Sequence, residues 1–176
     1  MFWTAVAAVA AVALVGCATP MAGVDTGPVH SGRLSIQVDA IPGRAEQRFT
    51  AAFDLVGTAE QGRLQLNSPL GITVASAQWS AGEARLTTAE GERRFPDLDS
   101  LSREALGESL PLRALPDWLS ARPWPAAPSQ PLPSNAIGFE QLDWHVDLSR
   151  YAQGFVRAER RKPSLVVLQV RLDAQP

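Results

Sequence analysis

The sequence has very few of the residue types on which most catalytic and metal sites depend. Its 176 residues include two histidines and a single cysteine, Cys17. Metal sites use several histidine, cysteine or carboxylate ligands at short spacing, and this chain offers no such cluster. A single cysteine cannot form an internal disulfide, so stability must come from a packed core. We therefore predict no metal site, no cofactor and no disulfide.

The sequence also lacks a glycine-rich phosphate-binding loop and a strong net charge. The formal net charge is −2 and the pI is about 5.7, which argues against nucleic acid as a partner and against a polybasic membrane contact. His145, Asp147 and Ser149 share one face of a predicted strand, but such neighbours supply neither a nucleophile turn nor an oxyanion hole. We interpret them as a solvated strand face and predict that the chain is not an enzyme.

The N-terminal segment is apolar and carries no charged side chain before Cys17. Its length suits a signal-peptide core and falls short of the roughly 20 residues of a membrane-spanning helix. Leu14 and Gly16 before Cys17 fit a bacterial lipoprotein signal, in which the thiol is acylated and cleavage frees the amine. We predict a signal peptide over residues 1–16 and a lipidated tether over residues 17–31. The alternatives are an ordinary secretory leader or a short anchor.

The residue after the cysteine bears on the destination of such a lipoprotein. Ala18 is not the aspartate that in many Gram-negative bacteria marks retention in the inner membrane. We therefore predict attachment to the outer membrane, with the folded domain facing the periplasm. One acyl chain anchors a protein weakly and stable attachment needs more than one, a condition that a triacylated cysteine meets.

Alternation of apolar and polar residues with period two predicts a series of short antiparallel strands. These strands are expected near residues 33–39, 49–55, 64–66, 72–76 and 84–87, and again at 138–141, 143–148, 155–159 and 165–172. Short strands about ten residues apart, each with one apolar face, indicate a meander that curls or closes. The side chains expected to face inward are those of Leu34, Ile36, Phe49, Phe53, Leu64, Leu66, Val74, Leu86, Trp144 and Val146.

The middle of the chain changes to helical spacing. Over residues 97–110 the apolar positions recur every three or four residues, which predicts an amphipathic helix capped by Asp99 or Ser100. Its apolar face consists of Leu98, Leu101, Leu106 and Leu110. A second helical piece is expected at 112–119, followed by an extended proline-rich loop at 123–133. The fold class is mainly β with α, with a helical lid between two meanders, and the domain spans residues 32–176.

Four short motifs follow the predicted lipoprotein signal in a set order. They are LNSPLGITVA from Leu66, EALGESLPLRALPDWL from Glu104, FEQLDWHV from Phe139 and RKP from Arg161. Each is weak alone, but together, over residues 32–172, they resemble the LolB family of outer-membrane receptors in the lipoprotein-localisation pathway. The resemblance implies an incomplete, strongly curved antiparallel β-barrel with a helical lid over an apolar cavity.

The resemblance also implies a function and a site. LolB-like proteins accept lipoproteins from a periplasmic carrier, which is LolA-like, and release them into the outer membrane. In the family, a leucine protruding from a Pro-Leu-Gly loop is needed for release, which places this role on Leu70, between Pro69 and Gly71. Without the resemblance, a loop leucine folded back onto the core is the favoured interpretation of Leu70. The ten inward-facing side chains are then candidates for the acyl-cavity lining, and the expected partners of this monomer are the carrier, acylated cargo and outer-membrane lipids.

Two other classes of protein stay open at this point. One is a different lipid-handling or envelope-assembly lipoprotein with a similar half-barrel. The other is a structural lipoprotein whose apolar sheet face is simply a packed core. An acyl-receiving protein is expected to keep an unfilled apolar void, whereas a structural protein packs to native density.

Overall fold

Eleven strands form one antiparallel sheet in the computed structural model, which describes residues 27–40, 42–43 and 45–174. The order across the sheet is β6-β5-β4-β3-β2-β1-β11-β10-β9-β8-β7. The strands are β1 (Val29–Val38), β2 (Gln47–Gly57), β3 (Gly62–Asn67), β4 (Thr73–Ser80), β5 (Glu83–Thr88), β6 (Gly91–Phe95), β7 (Ser129–Pro131), β8 (Gly138–Gln141), β9 (Trp144–Asp147), β10 (Phe155–Arg160) and β11 (Val166–Leu172). Cys17 and the predicted signal peptide lie outside the described residues.

The two meanders join at β1, the strand nearest the start of the described chain. β1 pairs with β2 on one side and with β11 on the other, so that Leu34 lies opposite both Ala51 and Val170. The sheet curls but does not close, because β6 and β7 remain as its two edges. This architecture confirms the predicted class, a mainly β fold built as an incomplete antiparallel barrel with helices.

Burial follows the period-two pattern that predicts the strands. In β1 the side chains of Leu34, Ile36 and Val38 are buried, and in β2 those of Phe53 and Leu55 are buried in the same core. Side chains opposite one another in an antiparallel pair share a face of the sheet, so these strands build one continuous apolar surface. The helices pack against that surface.

The helical lid consists of α1 (Leu98–Leu106) and α2 (Leu115–Trp118). Asp97 is the N-cap of α1, and its Oδ1 accepts a hydrogen bond from Ser100 N at 2.6 Å. The predicted caps, Asp99 and Ser100, are therefore wrong by two to three positions. The helix also ends earlier than predicted, because Gly107 adopts a left-handed φ of 69° that stops it.

The structure differs from the sequence prediction in two additional strands, β6 and β7, and in the residue at which β1 begins. β6 was not expected, because only Phe95 of its residues is apolar apart from glycine, and β7 lies inside the predicted proline-rich loop. β1 begins at Val29, so its first residues belong to the sheet and not to the tether predicted over 17–31. His30, assigned to that tether, is buried at the end of the core.

Candidate functional site

Residues 68–72 form a tight turn between β3 and β4, and Ser68 takes part in all three hydrogen bonds that fix it. Gly71 N donates to Ser68 O at 2.9 Å, Ser68 N donates to Ile72 O at 2.8 Å, and Ile72 N donates to Ser68 Oγ at 3.2 Å. Pro69 disfavours helical backbone at Ser68, and Gly71 adopts a φ of 79° that side-chain-bearing residues rarely take. The turn is therefore a defined structure.

Leu70 stands at the tip of this turn and is 87% exposed. Burying a leucine contributes about 1.5–3 kcal/mol, so this side chain forgoes a stabilisation that most leucines of the protein obtain. The alternative of a leucine folded back onto the core does not hold. The outward presentation agrees with the sequence analysis, and the role of Leu70 in membrane insertion stays a prediction.

A small polar network supports the turn where it joins the sheet. Asn67 Nδ2 donates to Asp54 Oδ2 at 2.9 Å, and Thr73 Oγ1 donates to Asn67 Oδ1 at 3.0 Å. Gln65 Nε2 donates to Thr73 Oγ1 at 2.7 Å. The network links β2, β3 and β4 on their outer face and holds both ends of the turn in register.

Val74 was predicted to face inward, and this prediction is wrong. Leu66 lies opposite Ala75, but Asn67 lies opposite Thr73, so β4 carries one extra residue, Val74, in a β-bulge. Ala75 and Ala77 lie opposite Leu66 and Leu64 on the inward face, so the alternation along β4 puts Val74 on the outer face, where it is exposed. The sequence pattern does not fix the phase of the alternation here, because Val74 and Ala75 are both apolar.

The other nine predicted inward side chains belong to the core or pack against it. Buried members of the set are Leu34, Ile36, Phe53, Leu64, Trp144 and Val146, and partly buried members are Phe49, Leu66 and Leu86. They lie on the face of the sheet that the helices cover. Their inward orientation is what the alternation predicts, whereas a role in lining an acyl cavity is a further hypothesis.

The lid fills the space in front of this face. Leu98 and Leu101 of α1 are buried, as are Leu115 and Trp118 of α2. Leu110, predicted on the helix, lies beyond its end but is also buried, and its N–H donates to Ser102 Oγ of α1 at 3.1 Å. The side chain of Leu106 is outside the described set.

Gln141 is a buried polar residue that sequence reasoning missed. Its Oε1 accepts hydrogen bonds from Trp118 Nε1 at 2.8 Å and from Trp124 N at 2.9 Å. Its Nε2 donates to Trp124 O and to Ala127 O, both at 2.8 Å. Both the oxygen and the nitrogen of this amide make two hydrogen bonds each, so Gln141 fixes α2 and the following loop to β8. Its partners lie 14 to 23 residues away in sequence, which leaves no local signal.

A buried ion pair ties the lid to the rim of the sheet. Glu108, just after α1, pairs with Arg160 at the end of β10, and its Oε1 also accepts a hydrogen bond from Ser164 Oγ at 2.9 Å. Arg160 Nη1 donates to Ser109 O at 3.2 Å, and the guanidinium lies 5.6 Å from the centre of the Trp144 ring. We call these residues, Glu108, Arg160 and Ser164, the lid clasp.

Three pockets on the described residues show where space is available. The largest, of about 1130 Å³, is a half-open groove around His30, Ser120 and Tyr151, at the Val29 end of β1. The other two, of about 170 and 210 Å³, are smaller surface pockets. None of the three is lined by any of the ten predicted cavity residues, most of which pack with the lid leucines in one hydrophobic core.

The residues that most resemble a catalytic arrangement do not form one. The Ser120 hydroxyl donates to Pro116 O at 2.7 Å, so toward His30 Nε2, at 3.1 Å, it can only accept. Burial holds the pKa of His30 below its usual value. His145 Nδ1 contacts Glu140 Oε1 at 3.4 Å and is not aimed at a hydroxyl nucleophile.

Asp147, which belongs to the same predicted solvated face as His145, forms a hydrogen bond within its own segment of the chain. Its Oδ1 accepts a hydrogen bond from Ser149 N at 2.8 Å, and this bond lowers the pKa of the carboxyl. Among residues 27–40, 42–43 and 45–174, no three histidine, cysteine or carboxylate side chains are grouped to hold a metal ion. In the same part of the chain, no helix is both long and apolar enough to cross a membrane.

An unclosed antiparallel half-barrel with a helical lid and a protruding apolar turn is the class of protein that these features define. The chain matches the family described as outer membrane lipoprotein LolB over residues 29–174. It is 34% identical over 165 residues to the outer-membrane lipoprotein LolB of Bordetella petrii, covering 89% of this chain and 79% of the relative. Identity to the protein of the same name from Bordetella pertussis is 36% over 166 residues, with the same two coverages of 89% and 79%.

A third relative, the outer-membrane lipoprotein LolB of Chromobacterium violaceum, is 35% identical over 124 residues, covering 69% of this chain and 63% of the relative. The chain belongs to the LolB family. This membership confirms the resemblance seen in the four sequence motifs. The family consists of outer-membrane lipoproteins and not of enzymes, which agrees with the scarcity of catalytic residue types.

Proposed function

We propose that this chain receives acylated lipoproteins from a LolA-like periplasmic carrier and inserts them into the outer membrane. Family membership supports the pathway, because the relatives are named outer-membrane lipoproteins LolB. The observation that carries the proposal is Leu70, a large apolar side chain held in water by a hydrogen-bonded turn. Entry of this side chain into an apolar phase contributes about 1.5–3 kcal/mol, which orients the domain at a bilayer without anchoring it.

The permanent anchor in this proposal is the lipid on Cys17, with the folded domain on the periplasmic side. Cys17 lies outside the described residues, and its lipidation is supported by Leu14 and Gly16 before it and by the apolar segment that these residues end. Mass spectrometry of the protein from its native membrane is expected to show cleavage before Cys17 and acyl groups on it. An unmodified Cys17, or an uncleaved leader, contradicts this part of the proposal. Cys17→Ala is expected to leave a folded, unanchored domain.

The acyl chains of the cargo are proposed to lie between the sheet and the lid. Each methylene exposed to water costs about 0.8 kcal/mol, so transfer of long acyl chains requires an apolar cover. The buried face of β1, β2, β3 and β9 is one wall of such a cover, and the leucines of α1 are the other. Because these leucines occupy the space in the structure, the proposal requires the lid to move outward when cargo enters.

The lid clasp is the polar contact that such a movement has to break. Glu108 and Arg160 join the α1–α2 connection to the rim, at the strand end where residues 68–72 also lie. Cargo is therefore proposed to enter and leave at that end. The sequence offers no nucleotide site to drive the exchange, so transfer runs down a gradient of affinity from carrier to receptor to membrane.

Leu70→Glu tests the proposal, with Ile137→Glu as its matched control. Both side chains are large, aliphatic and exposed, and Ile137 immediately precedes β8, at the end of the sheet opposite to the 68–72 turn. We expect both variants to fold and to accept cargo from the carrier, while delivery to vesicles falls about ten-fold or more for Leu70→Glu only, equivalent to about 1.4 kcal/mol. The receptor–cargo complex should then accumulate. Delivery at the parent rate, or an unfolded variant, overturns the role of Leu70.

A structural outer-membrane lipoprotein is the second candidate, and the filled interior favours it. A fluorescent fatty-acyl probe distinguishes the two, because a permanently packed core has no room for it. We expect the parent chain to bind the probe, Phe53→Glu to weaken binding, and Gln37→Glu on the outer face to leave it unchanged. Failure of the parent chain to bind any acyl probe supports the structural candidate, and so does a folded Phe53→Glu chain that binds as tightly as the parent.

A further inference from the structure

Exposed large apolar side chains are concentrated at one end of the strands. Among the described residues they are Val29, Leu70, Ile72, Val74, Ile137 and Leu142. The register places residues 68–72 at the end of the sheet where β1 finishes and β2 begins, and the β8–β9 turn with Leu142 also lies toward that end. Val29 and Ile137 lie at the opposite ends of their strands. Three of the six fall within five consecutive residues, which singles out the start of β4.

The start of β4 is apolar beyond the single leucine of the turn. Ile72 is 64% exposed and Val74 is 41% exposed, next to Leu70. No charged residue occurs in the sequence from Leu64 to Gly82. We propose that the surface that enters the bilayer is an edge made of Leu70, Ile72 and Val74, and not Leu70 alone. This inference rests on the proposed delivery function and assigns to it two further membrane-contacting residues.

The pairing of β4 explains why Val74 belongs to this edge. Ala75 and Ala77 lie opposite Leu66 and Leu64 on the inward face, so the alternation along β4 turns Val74 outward. Thr73 lies opposite Asn67, which makes Val74 the extra residue of a β-bulge at the start of the strand. Val74 is therefore an aliphatic side chain on the exposed surface beside the turn, close in sequence to Ile72.

The polar network beneath the turn sets how deep the edge can go. Asn67 is hydrogen-bonded to both Asp54 and Thr73 on the outer face of the sheet. Moving a carboxylate and an amide into hydrocarbon without water is costly, so insertion stops where this network begins. The order of depth follows from the exposures, with Leu70 deepest, Ile72 intermediate and Val74 at the headgroup boundary.

The chemistry of the edge fits a lipid bilayer better than a protein partner. A stable protein interface covers about 800 Å² on each side, and three aliphatic side chains on a protruding turn fall well short of that area. Only one side of this end of the sheet is proposed to enter the bilayer. On the other side Leu142 is 42% exposed, but it shares a turn of two positive φ values with Asp143. Because burying the charge of Asp143 is costly, that side stays at the level of the headgroups.

Site-specific fluorescence in the full chain tests the depth order. Leu70→Cys, Ile72→Cys and Val74→Cys are each labelled with an environment-sensitive fluorophore and reconstituted into phosphatidylethanolamine–phosphatidylglycerol vesicles. Val29→Cys and Ile137→Cys are the matched controls, and the parent chain supplies any background from Cys17. We expect a blue shift and quenching by nitroxide lipids at all three edge positions, largest at 70 and smallest at 74, with neither effect at 29 or 137.

The outcomes separate this inference from the function on which it rests. A shift at 70 alone overturns the edge and leaves the Leu70 tip and the delivery function intact. A shift at 72 and 74 that needs added carrier and no vesicles also overturns it, because the edge is then a protein-docking surface. If the label at position 70 shows neither a blue shift nor quenching, and Leu70→Glu delivers cargo at the parent rate, the proposed role of Leu70 in delivery is overturned as well.

Delivery itself provides a second measurement. The double variant Ile72→Gln/Val74→Gln is compared with Val29→Gln/Ile137→Gln, which changes two side chains of the same kind at the other strand ends. Slower delivery with unchanged acceptance is expected only for the first pair, by a smaller factor than for Leu70→Glu. Equal delivery by both double variants contradicts the inference, provided that thermal unfolding shows that the parent chain, Leu70→Glu and both double variants are folded.

Discussion

The 68–72 turn and the interior beneath the lid treat large apolar side chains in opposite ways. Leu70 is held in water by hydrogen bonds of its own turn, whereas Phe53 of β2 is 2% exposed and belongs to a continuous core. Burial of such a side chain stabilises the fold by about 1.5–3 kcal/mol. The stability of the fold therefore comes from the interior, whereas the side chain of Leu70 contributes little to it. Substitutions in the two regions should therefore affect different measurements.

The largest expected effect on stability is that of Phe53→Ala. Truncating a buried phenylalanine removes its transfer free energy and leaves a cavity, for a loss of about 3–5 kcal/mol. Leu70→Ala is the matched control and should change the free energy of unfolding by less than about 0.5 kcal/mol. Urea unfolding at pH 7 measures both. A loss below about 1 kcal/mol for Phe53→Ala contradicts a tightly packed interior at this position and points to existing space beside it.

A smaller loss is expected from Glu108→Gln in the lid clasp. Removing one partner of a buried ion pair leaves the other charge uncompensated, which costs about 3 kcal/mol at the lower end of the usual range. Glu104→Gln is the control, because Glu104 pairs with Arg93 at 2.8 Å on the surface and such pairs contribute less than about 1 kcal/mol. Equal losses for the two variants in chemical unfolding break the distinction between a clasp and an ordinary surface pair.

The smallest of these effects concerns the cap of α1 and depends on pH. The Ser100 N–H bound to Asp97 lowers the pKa of that carboxyl, so its stabilisation is present above about pH 4 and is lost as pH falls through the lowered pKa. Asp97→Ala should cost about 1 kcal/mol at neutral pH and less in acid. Unfolding free energies at pH 7 and pH 3 check this, and a difference that does not shrink in acid rules out the ionised cap.

Much of the sheet could be predicted because alternate residues of a strand face the core and the solvent, which gives the sequence an apolar–polar period of two. The pattern is clear in β1 and β2, where one face is buried along most of the strand. It is absent in β6, an edge strand whose residues are nearly all exposed. Val74 shows a different limit, since Val74 and Ala75 are both apolar and only the pairing of Ala75 with Leu66 decides which of the two faces inward.

The site could be predicted less completely than the fold. Leu70 was located through a family resemblance, and turn chemistry alone left its orientation open. The roles of Gln141 and of the Glu108–Arg160 pair were not predictable, because their partners are 14 to 52 residues away in sequence and no local pattern marks them. Ile72 was part of a predicted strand, yet only the structure distinguishes it from a core residue.

The two free edges of the sheet bear on whether copies of this protein aggregate. An unpaired edge strand presents N–H and C=O groups to which another chain can add a strand. At one edge, β6 carries Glu92, Arg93 and Arg94, and charged side chains on an edge strand disfavour the addition of another strand. At the other edge, β7 is three residues long and ends at Pro131, which has no N–H to donate. The barrel can thus stay open in a crowded compartment without polymerising through its edges.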